Sequence, residues 1–443
     1  MDQWRASPRR GRAAPVIATG HQPTLWHPGI LAKDLAADAL AKHLGGTALH
    51  VVVDHNALAP LSLDIPTQLG GTLGTRRVLL DTRAISDQLP PNRLVPIDSA
   101  KVAALLTDAD AASRDAPGMA QGLARLAQAY LAAGEDHEHL AAQTSAVLAH
   151  LMQPVVHQPL PTLSTSTLVT QGFVDRLLAD PLGCVRCYNR AVAAYPHARI
   201  RPLHIGRDSI EAPLWAQDAG NPAPVYIDLG DTQNPQLYTE LTGLDLTKTD
   251  AIRRLRPRAA TLSAIMRSDY CDLMIHGKGG GAYDNVTERW WRDWTGEELA
   301  PKVIVTADMM LGLDAPLATR DELERAVWFD HHLPFNVDRY AQAQDDAEAS
   351  LEQEKRTLLD HMNDDRDKRR RAVAFKRIHA INAKLQQHHR AMIEESRRGA
   401  ARARLGVDNA AIAHRRDWCF ALYSPVSLRQ LAEALTITRS AAP

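Results

Sequence analysis

The apolar positions nearest the amino terminus alternate between short runs and helical repeats. Pro15–Thr19, with Val16 and Ile17, predicts a short strand, and Ile30, Leu31, Leu35, Leu40 and Leu44 then recur at mostly helical spacing. Gly45 and Gly46 end that helix, and the β-branched run within Ala48–Val53 predicts a second strand. A strand, a helix and a strand within about forty residues build a parallel pair. Right-handed crossovers collect ligands beyond the carboxyl ends of such strands, here at Thr19-Gly20-His21 and at Asp54-His55-Asn56.

From Ser99 to Met152 Ala and Leu dominate, which predicts two or three helices as an insert near 99–160. Val225–Asp228, Leu273–His276 and Val303–Thr306 predict further strands, and Thr167–Leu178, Pro181–Tyr195 and Thr287–Trp294 further helices. The pattern changes after Asn336. Residues 338–398 lack Gly and Pro, and Ala374, Ile378, Ile381, Leu385, His388 and Met392 follow alternating steps of four and three, a heptad seam. Unbroken, this helix would run about 90 Å. Asn363–Arg371 supplies no apolar seam and marks either the turn of a hairpin or a solvated stretch of helix. A seam on a solitary helix would expose apolar surface, so a homodimer through 338–398 is expected. Trp418–Ser424 predicts a strand and Leu428–Leu435 a last helix, which returns the chain to the core.

A length of 443 residues suits two or three domains, and 45% hydrophobic with 23% charged residues excludes wholesale disorder. The 51 Lys and Arg nearly cancel the 52 Asp and Glu, which removes any global pull towards a polyanion and disfavours a nucleic-acid partner. No stretch approaches the roughly 18 consecutive apolar residues of a membrane span, so no membrane partner is expected. The apolar run behind the basic Met1–Arg12 is too short for a signal peptide, and four cysteines cannot be the main support of so long a chain. Cytoplasmic residence is the default expectation.

Three clusters could carry chemistry. Thr19, Gly20, His21, Gln22 and His27, with Lys33 one turn into the helix, make an anion site at a helix N-terminus, where N–H groups and the dipole favour phosphate or carboxylate. The bland alternative is that His27 and Pro28 cap the helix while Gly20 makes a turn. In the second cluster Asp54 could orient His55 as a proton carrier. The third is a glycine-rich loop, in which Gly277, Gly279, Gly280 and Gly281 let backbone N–H groups approach an oxyanion beside His276, Lys278, Tyr283 and Asp284. It is not a Walker A loop, since no Lys-Ser or Lys-Thr follows the last glycine, and the first cluster is not a G-x-G-x-x-G fingerprint. Cys184 and Cys187 have CxxC spacing without a second pair, and Glu135–His139 lacks H-E-x-x-H spacing, so no metal site is evident.

Taken together, these stretches resemble the bacillithiol biosynthesis cysteine-adding family, enzymes thought to join cysteine to glucosaminyl malate. Thr19-Gly20-His21-Gln22 with Lys33 looks like the family's Thr-Gly-Gln-Gln segment and lysine, and Asp54-His55-Asn56 looks like its Asp-His-Asp run. Leu255-Arg-Pro-Arg258, Thr261-Leu262 and Gly277–Tyr283 look like its arginine-proline segment leading to a glycine-rich loop, with Arg256 as the matching arginine; Tyr188-Asn189 falls in the same order. His21 replaces a Gln, Val53 and Asn56 replace acidic residues, Pro28-Gly29 reverses a Gly-Pro pair and Gly280 stands where a Glu is usual. Losing acidic groups changes acid-base capacity and ligand charge.

The residues and the resemblance together predict an α/β chain: a disordered basic tail over 1–14, a Rossmann-like parallel-sheet core over 15–330 with the helical insert, a coiled-coil segment over 331–408 that dimerises, and a returning segment over 409–443. It implies a ligase-like enzyme that forms an amide-type bond between an amino acid and a carboxylate or amino-sugar conjugate. In that reading Thr19, Gly20, Gln22, His27, Lys33, Arg256 and Lys278 hold a small anionic substrate, a nucleotide is a possible cofactor, and the catalytic residues are His55, oriented by Asp54 to move the amine proton, and His21, which adds charge or protons. A nucleotidyltransferase and a non-catalytic dimeric metabolite-binding scaffold are the competing functions.

Overall fold

The computed structural model describes residues 14–57, 61–81, 89–111, 119–218, 220–230, 235–241, 246 and 251–435. Most of the basic tail, residues 1–13, and the last eight residues lie outside them. The described chain divides into two compact units: 1–65, 76–311 and 416–443 in the first, 66–75 and 312–415 in the second.

The first unit is mixed α/β around a five-stranded parallel sheet. Strand β1 (Val16–His21), helix α1 (Pro28–Leu44) and strand β2 (Thr47–Val52) form its first crossover. Pro28 fits the first turn of α1, where its missing N–H costs nothing, and Gly45 closes the helix at φ 65°, a conformation that suits glycine. Asp34 on α1 meets His50 on β2 at 2.6 Å, both buried, which ties the helix to the sheet. Strands β3 (Ser62–Leu69) and β4 (Thr72–Leu79) form a hairpin whose turn and adjoining strand halves, 66–75, count with the second unit; periodicity alone does not reveal it, although Gly70-Gly71 is a hairpin signal. The insert is three helices, α2 (Ser99–Ala111), α3 (Met119–Ala133) and α4 (Leu140–Met152), which bury Leu106, Leu123, Leu126, Tyr130 and Val147.

After β5 (Thr162–Ser164) come α5 (Gln171–Ala179) and α6 (Pro181–Ala194), and then a second sheet. Its strands β6 (Ser209–Ala216), β7 (Ala223–Asp228), β8 (Gln236–Thr239) and β9 (Leu255–Pro257) run antiparallel in the order β8-β7-β6-β9. The strand at Val225–Asp228 therefore belongs to this sheet and not to the parallel one. Helix α7 (Ala259–Ile265), strand β10 (Leu273–His276), helix α8 (Lys278–Thr295) and strand β11 (Lys302–Ile304) complete the core, and the parallel order is β11-β10-β1-β2-β5.

Two expectations are corrected. The glycine-rich stretch is the first turn of α8 instead of a loop, and two of its glycines serve close packing: a Cβ on Gly280 would lie 2.8 Å from His276 Nδ1, and one on Gly281 would run into Ile304. Trp418–Ser424 is likewise no strand. It holds a buried 3-10 turn, Phe420–Leu422, whose polar groups find partners outside any ladder: Phe420 N–H donates to Trp26 O at 2.7 Å, and Arg125 Nη2 donates to Ala421 O at 2.8 Å.

In the second unit a capping box of Thr319 and Glu322 starts α9 (Arg320–His332), and a short α10 (Val337–Tyr340) follows. The charged segment is broken twice, into α11 (Asp346–Asp364), α12 (Lys368–His388) and α13 (Arg390–Ala413). Residues 365–367 turn the chain into a hairpin of α11 and α12, clasped by a two-pronged Arg377–Glu354 pair at 2.6 Å. Ile378, Ile381 and Leu385 are buried inside this unit. These three seam positions are covered within the chain, whereas Ala374 and Met392 are half-buried and His388 is exposed. Asn409 on α13 accepts from Leu73 N–H at 2.8 Å and donates to Gly71 O and Pro316 O at 2.9 Å. No described helix is long and apolar enough to cross a membrane.

Candidate functional site

The order of the parallel sheet reverses between β1 and β10, and both strands run directly into helices, α1 and α8. Strand carboxyl ends and helix N-termini therefore meet along one edge, where a crevice forms and unpaired N–H groups gather. A cleft of about 970 Å³ opens there. The three clusters singled out in the sequence share it: Gly20, His21, Gln22, His27 and Lys33 from β1 and α1, His55 and Asn56 beyond β2, and His276, Gly277, Lys278, Gly279, Gly280 and Tyr283 from β10 and α8. The opposite wall comes from α6, the second sheet and α7, with Tyr188, Trp215 and Arg258. Arg416 enters from the returning C-terminal segment and pairs with Asp308 at 2.6 Å.

Charge in the cleft is lopsided. Lys33, Lys278, Arg201, Arg258 and Arg416 line it, with Asp308 as the carboxylate among the described lining residues. Glu211 sits behind the wall and takes both Arg201 and Arg258 at 2.7 Å, while Arg258 lies over the Trp215 ring at 4.0 Å. Helix α8 starts without a side-chain cap, which leaves its first N–H groups to the cleft.

Burial sets the protonation of the histidines. It pulls His21 down to about 4, with Lys33 adding to the effect, and pulls His55 down to about 4 against the help of Asp54. Both rings are neutral at pH 7. His21 therefore offers the cleft hydrogen bonds and not positive charge. His27 is lowered too, by burial first, and its Nδ1 accepts from Gly29 N–H at 3.0 Å, so it does cap α1 while lining the cleft. Burial also lowers the Lys33 ammonium, which donates to Gly20 O at 2.6 Å.

No family model matches the chain, and no curated protein matches it.

Five expected site residues lie outside the lining. Thr19 bridges β1 to β10 through a 3.0 Å bond to Ile275 O. Arg256 is buried against Gln217, Arg253 O, Leu255 O and Ser166 O, so the arginine that faces the cleft is Arg258, two residues on. Strand alternation would put both on one face, but β9 ends at Pro257 and Arg258 is already the N-cap of α7, so the chain turns between them. Gly281 packs against Ile304 of β11. Asp284 is fully buried, accepting from Ser263 Oγ and from Arg267 Nη1 at 2.6 Å. His276 Nε2 lies 3.1 Å from Asp284 Oδ2, near enough for charge to matter but off the line of a good hydrogen bond. Burial would raise the Asp284 carboxyl, but the His276, Arg267 and Ser263 contacts outweigh it and hold it at about 2.

Asp54 also stays behind the wall, and it does not touch His55 directly. Ser164 Oγ at 2.5 Å, Thr165 Oγ1 at 2.8 Å and Ser166 Oγ at 3.1 Å all donate to its carboxylate. Hydropathy and motif spacing give this hydroxyl run no role; its signal is a Ser-Thr-Ser sequence at the end of a strand. Cys184 and Cys187 are free and buried, and burial raises both thiols. Among the described residues no group of His, Cys, Asp and Glu could hold a metal ion.

Proposed function

We propose that this chain is an enzyme that binds a small anionic substrate at the carboxyl edge of its parallel sheet. As a divergent member of the cysteine-adding family, with a Rossmann-like core, it would join an amino acid to a carboxylate or amino-sugar conjugate. The observation that carries this reading is the convergence of the three separated clusters on one cleft, with five cationic side chains against one carboxylate among the described lining residues. Two helix N-termini aimed at the same space add to the pull on an anion.

Chemistry follows from position. Lys278, Arg416 and the first N–H groups of α8 hold the anionic part, and Lys33 stands deeper beside Gly20. His55, neutral at pH 7, is able to accept the proton that an attacking amine loses as its nitrogen bonds to the carbon of an activated carboxylate and the activating group departs with its oxygen. The departures from the family bear on the substrate. Gly280 leaves room only for His276 where a Glu is usual, so the cleft is less acidic than that of the resembled family. The four free thiols fit a reducing, cytoplasmic setting. A homodimer through 338–398 is not part of the proposal, since Ile381 and Leu385 are already covered.

Thermal melting with citrate, pyrophosphate, ATP, cysteine and glucosaminyl malate tests binding. An anion at 100 times its Kd should stabilise the protein by about 2.7 kcal/mol. Mass spectrometry of cysteine, glucosaminyl malate and ATP incubated with the protein then looks for the amide, lighter than its two parts by one water. Pyrophosphate release without amide would favour the nucleotidyltransferase, and anion binding without turnover the scaffold. Absence of stabilisation by every anion would overturn the site itself.

A further inference from the structure

Strands β2 and β5 are parallel neighbours, with Val52 opposite Ser164, so the residues beyond the two strand ends emerge side by side. Asp54 and His55 come after one; Thr165 and Ser166 come after the other. Thr165 is fully buried between them. Its Oγ1 lies 2.8 Å from Asp54 Oδ1, 2.7 Å from His55 Nδ1 and 3.3 Å from the Asp54 backbone N–H.

A hydroxyl has one hydrogen and two lone pairs. The carboxylate can only accept, so the hydrogen goes to Asp54 Oδ1. Both lone pairs then accept, one from Asp54 N–H and one from His55 Nδ1–H. All three capacities of Oγ1 are used, and the imidazole hydrogen is assigned to Nδ1. Nε2 is left as the nitrogen that takes the second proton, with the Pro257 carbonyl as an acceptor for it.

We infer that Thr165 is a positioning residue, which links Asp54 to His55 and fixes the imidazole as its Nδ1–H tautomer so that Nε2 is the atom that takes a proton. This rests on the proposed role of His55 as the proton acceptor. The hydroxyl selects the tautomer as a carboxylate in direct contact with a histidine does, and the Asp54 charge behind it favours the protonated ring. Ser164 and Ser166 hold the carboxylate in place from its other sides. The charged and polar groups facing His55 are Asp54 and the Pro257 carbonyl, which favour the proton, and Arg256, which opposes it.

The test uses the full chain labelled with 15N-imidazole histidine and long-range 1H–15N spectra, which tell the two tautomers apart; His55→Gln identifies the signal. The wild type should show His55 with its hydrogen on Nδ1 at pH 7. Thr165→Val should lose that tautomer and Thr165→Ser should keep it. An Nε2–H ring in the wild type overturns the inference, and that reading needs no variant to fold. So does a Val variant that retains the Nδ1–H form, or a Ser variant that loses it. Because no substrate enters the experiment, a failure here leaves anion binding in the cleft standing. Failure of every anion to stabilise the protein would leave the tautomer result intact.

Discussion

Replacing Asp284 with Asn keeps the shape of the side chain and removes one buried charge. Two routes give the cost. Asp284 is held at about 2 against an ordinary 3.8, and at about 1.36 kcal/mol for each factor of ten this is about 2 kcal/mol of stability at neutral pH. The second route starts from Arg267, which is buried and 2.6 Å from the carboxylate. Taking one partner from a buried ion pair costs about 3–5 kcal/mol. Arg267 still reaches Glu288 at 2.6 Å and Ala300 O at 2.5 Å, which places the cost at the low end, about 2–3 kcal/mol. Since the folded value lies below the unfolded one, the contribution is complete above about pH 4 and is lost as pH falls, with roughly half gone by pH 3. Urea unfolding followed by tryptophan fluorescence suits the assay, because Trp290, Trp291 and Trp294 stand on the same helix as Asp284. The Asn variant should be weaker by about 2–3 kcal/mol at pH 7, and the gap to wild type should narrow at pH 3. A gap below about 0.5 kcal/mol, the size of an ordinary surface change, or one that does not change with pH would refute the reasoning.

Lys278→Ala should weaken citrate or pyrophosphate binding by about 1–2 kcal/mol in calorimetry, one charge-assisted hydrogen bond at an exposed site. Arg256→Ala should lower the melting temperature, and the anion affinity of the folded variant should hold, since Arg256 lies outside the cleft; a large affinity loss in that folded variant would put it back in the site. Folded His21 and His55 stay neutral down to about 4 while the unfolded rings take protons below about 6.5, so stability should fall with pH between those values, and His55→Gln should blunt the loss in urea midpoints at pH 7 and 5. Ile381→Glu should disrupt the α11–α12 hairpin, seen as lost helicity in circular dichroism and faster proteolysis near 365–367; unchanged helicity with a halved mass in light scattering would return the seam to a dimer interface.

Local pattern was enough for much of the fold because local forces decide it. Ile17 in a β-branched run, the helical repeat from Ile30 to Leu44 and the glycines after it place β1, α1 and β2, and parallel topology then puts Gly20, His55 and Gly277 along one edge. Periodicity could not choose among partners. The heptad from Ile378 to Leu385 shows that these side chains need an apolar neighbour, but not whether it lies on another chain or on the returning arm of a hairpin, which Asp365–Asp367 makes possible. The glycines at 279–281 look the same whether they open a loop or the first turn of a helix; only the approach of His276 and Ile304 shows which. Arg256 and Arg258 part company where β9 gives way to α7, and the place of that turn is set by the packing of the second sheet. Thr165 carries no local signal, since its contact with Asp54 and His55 spans more than a hundred residues and exists because β2 and β5 are neighbours. Chain-local propensity determines elements, whereas burial, which settles the protonation of His55 and the covering of the heptad seam, is a property of the packed molecule alone.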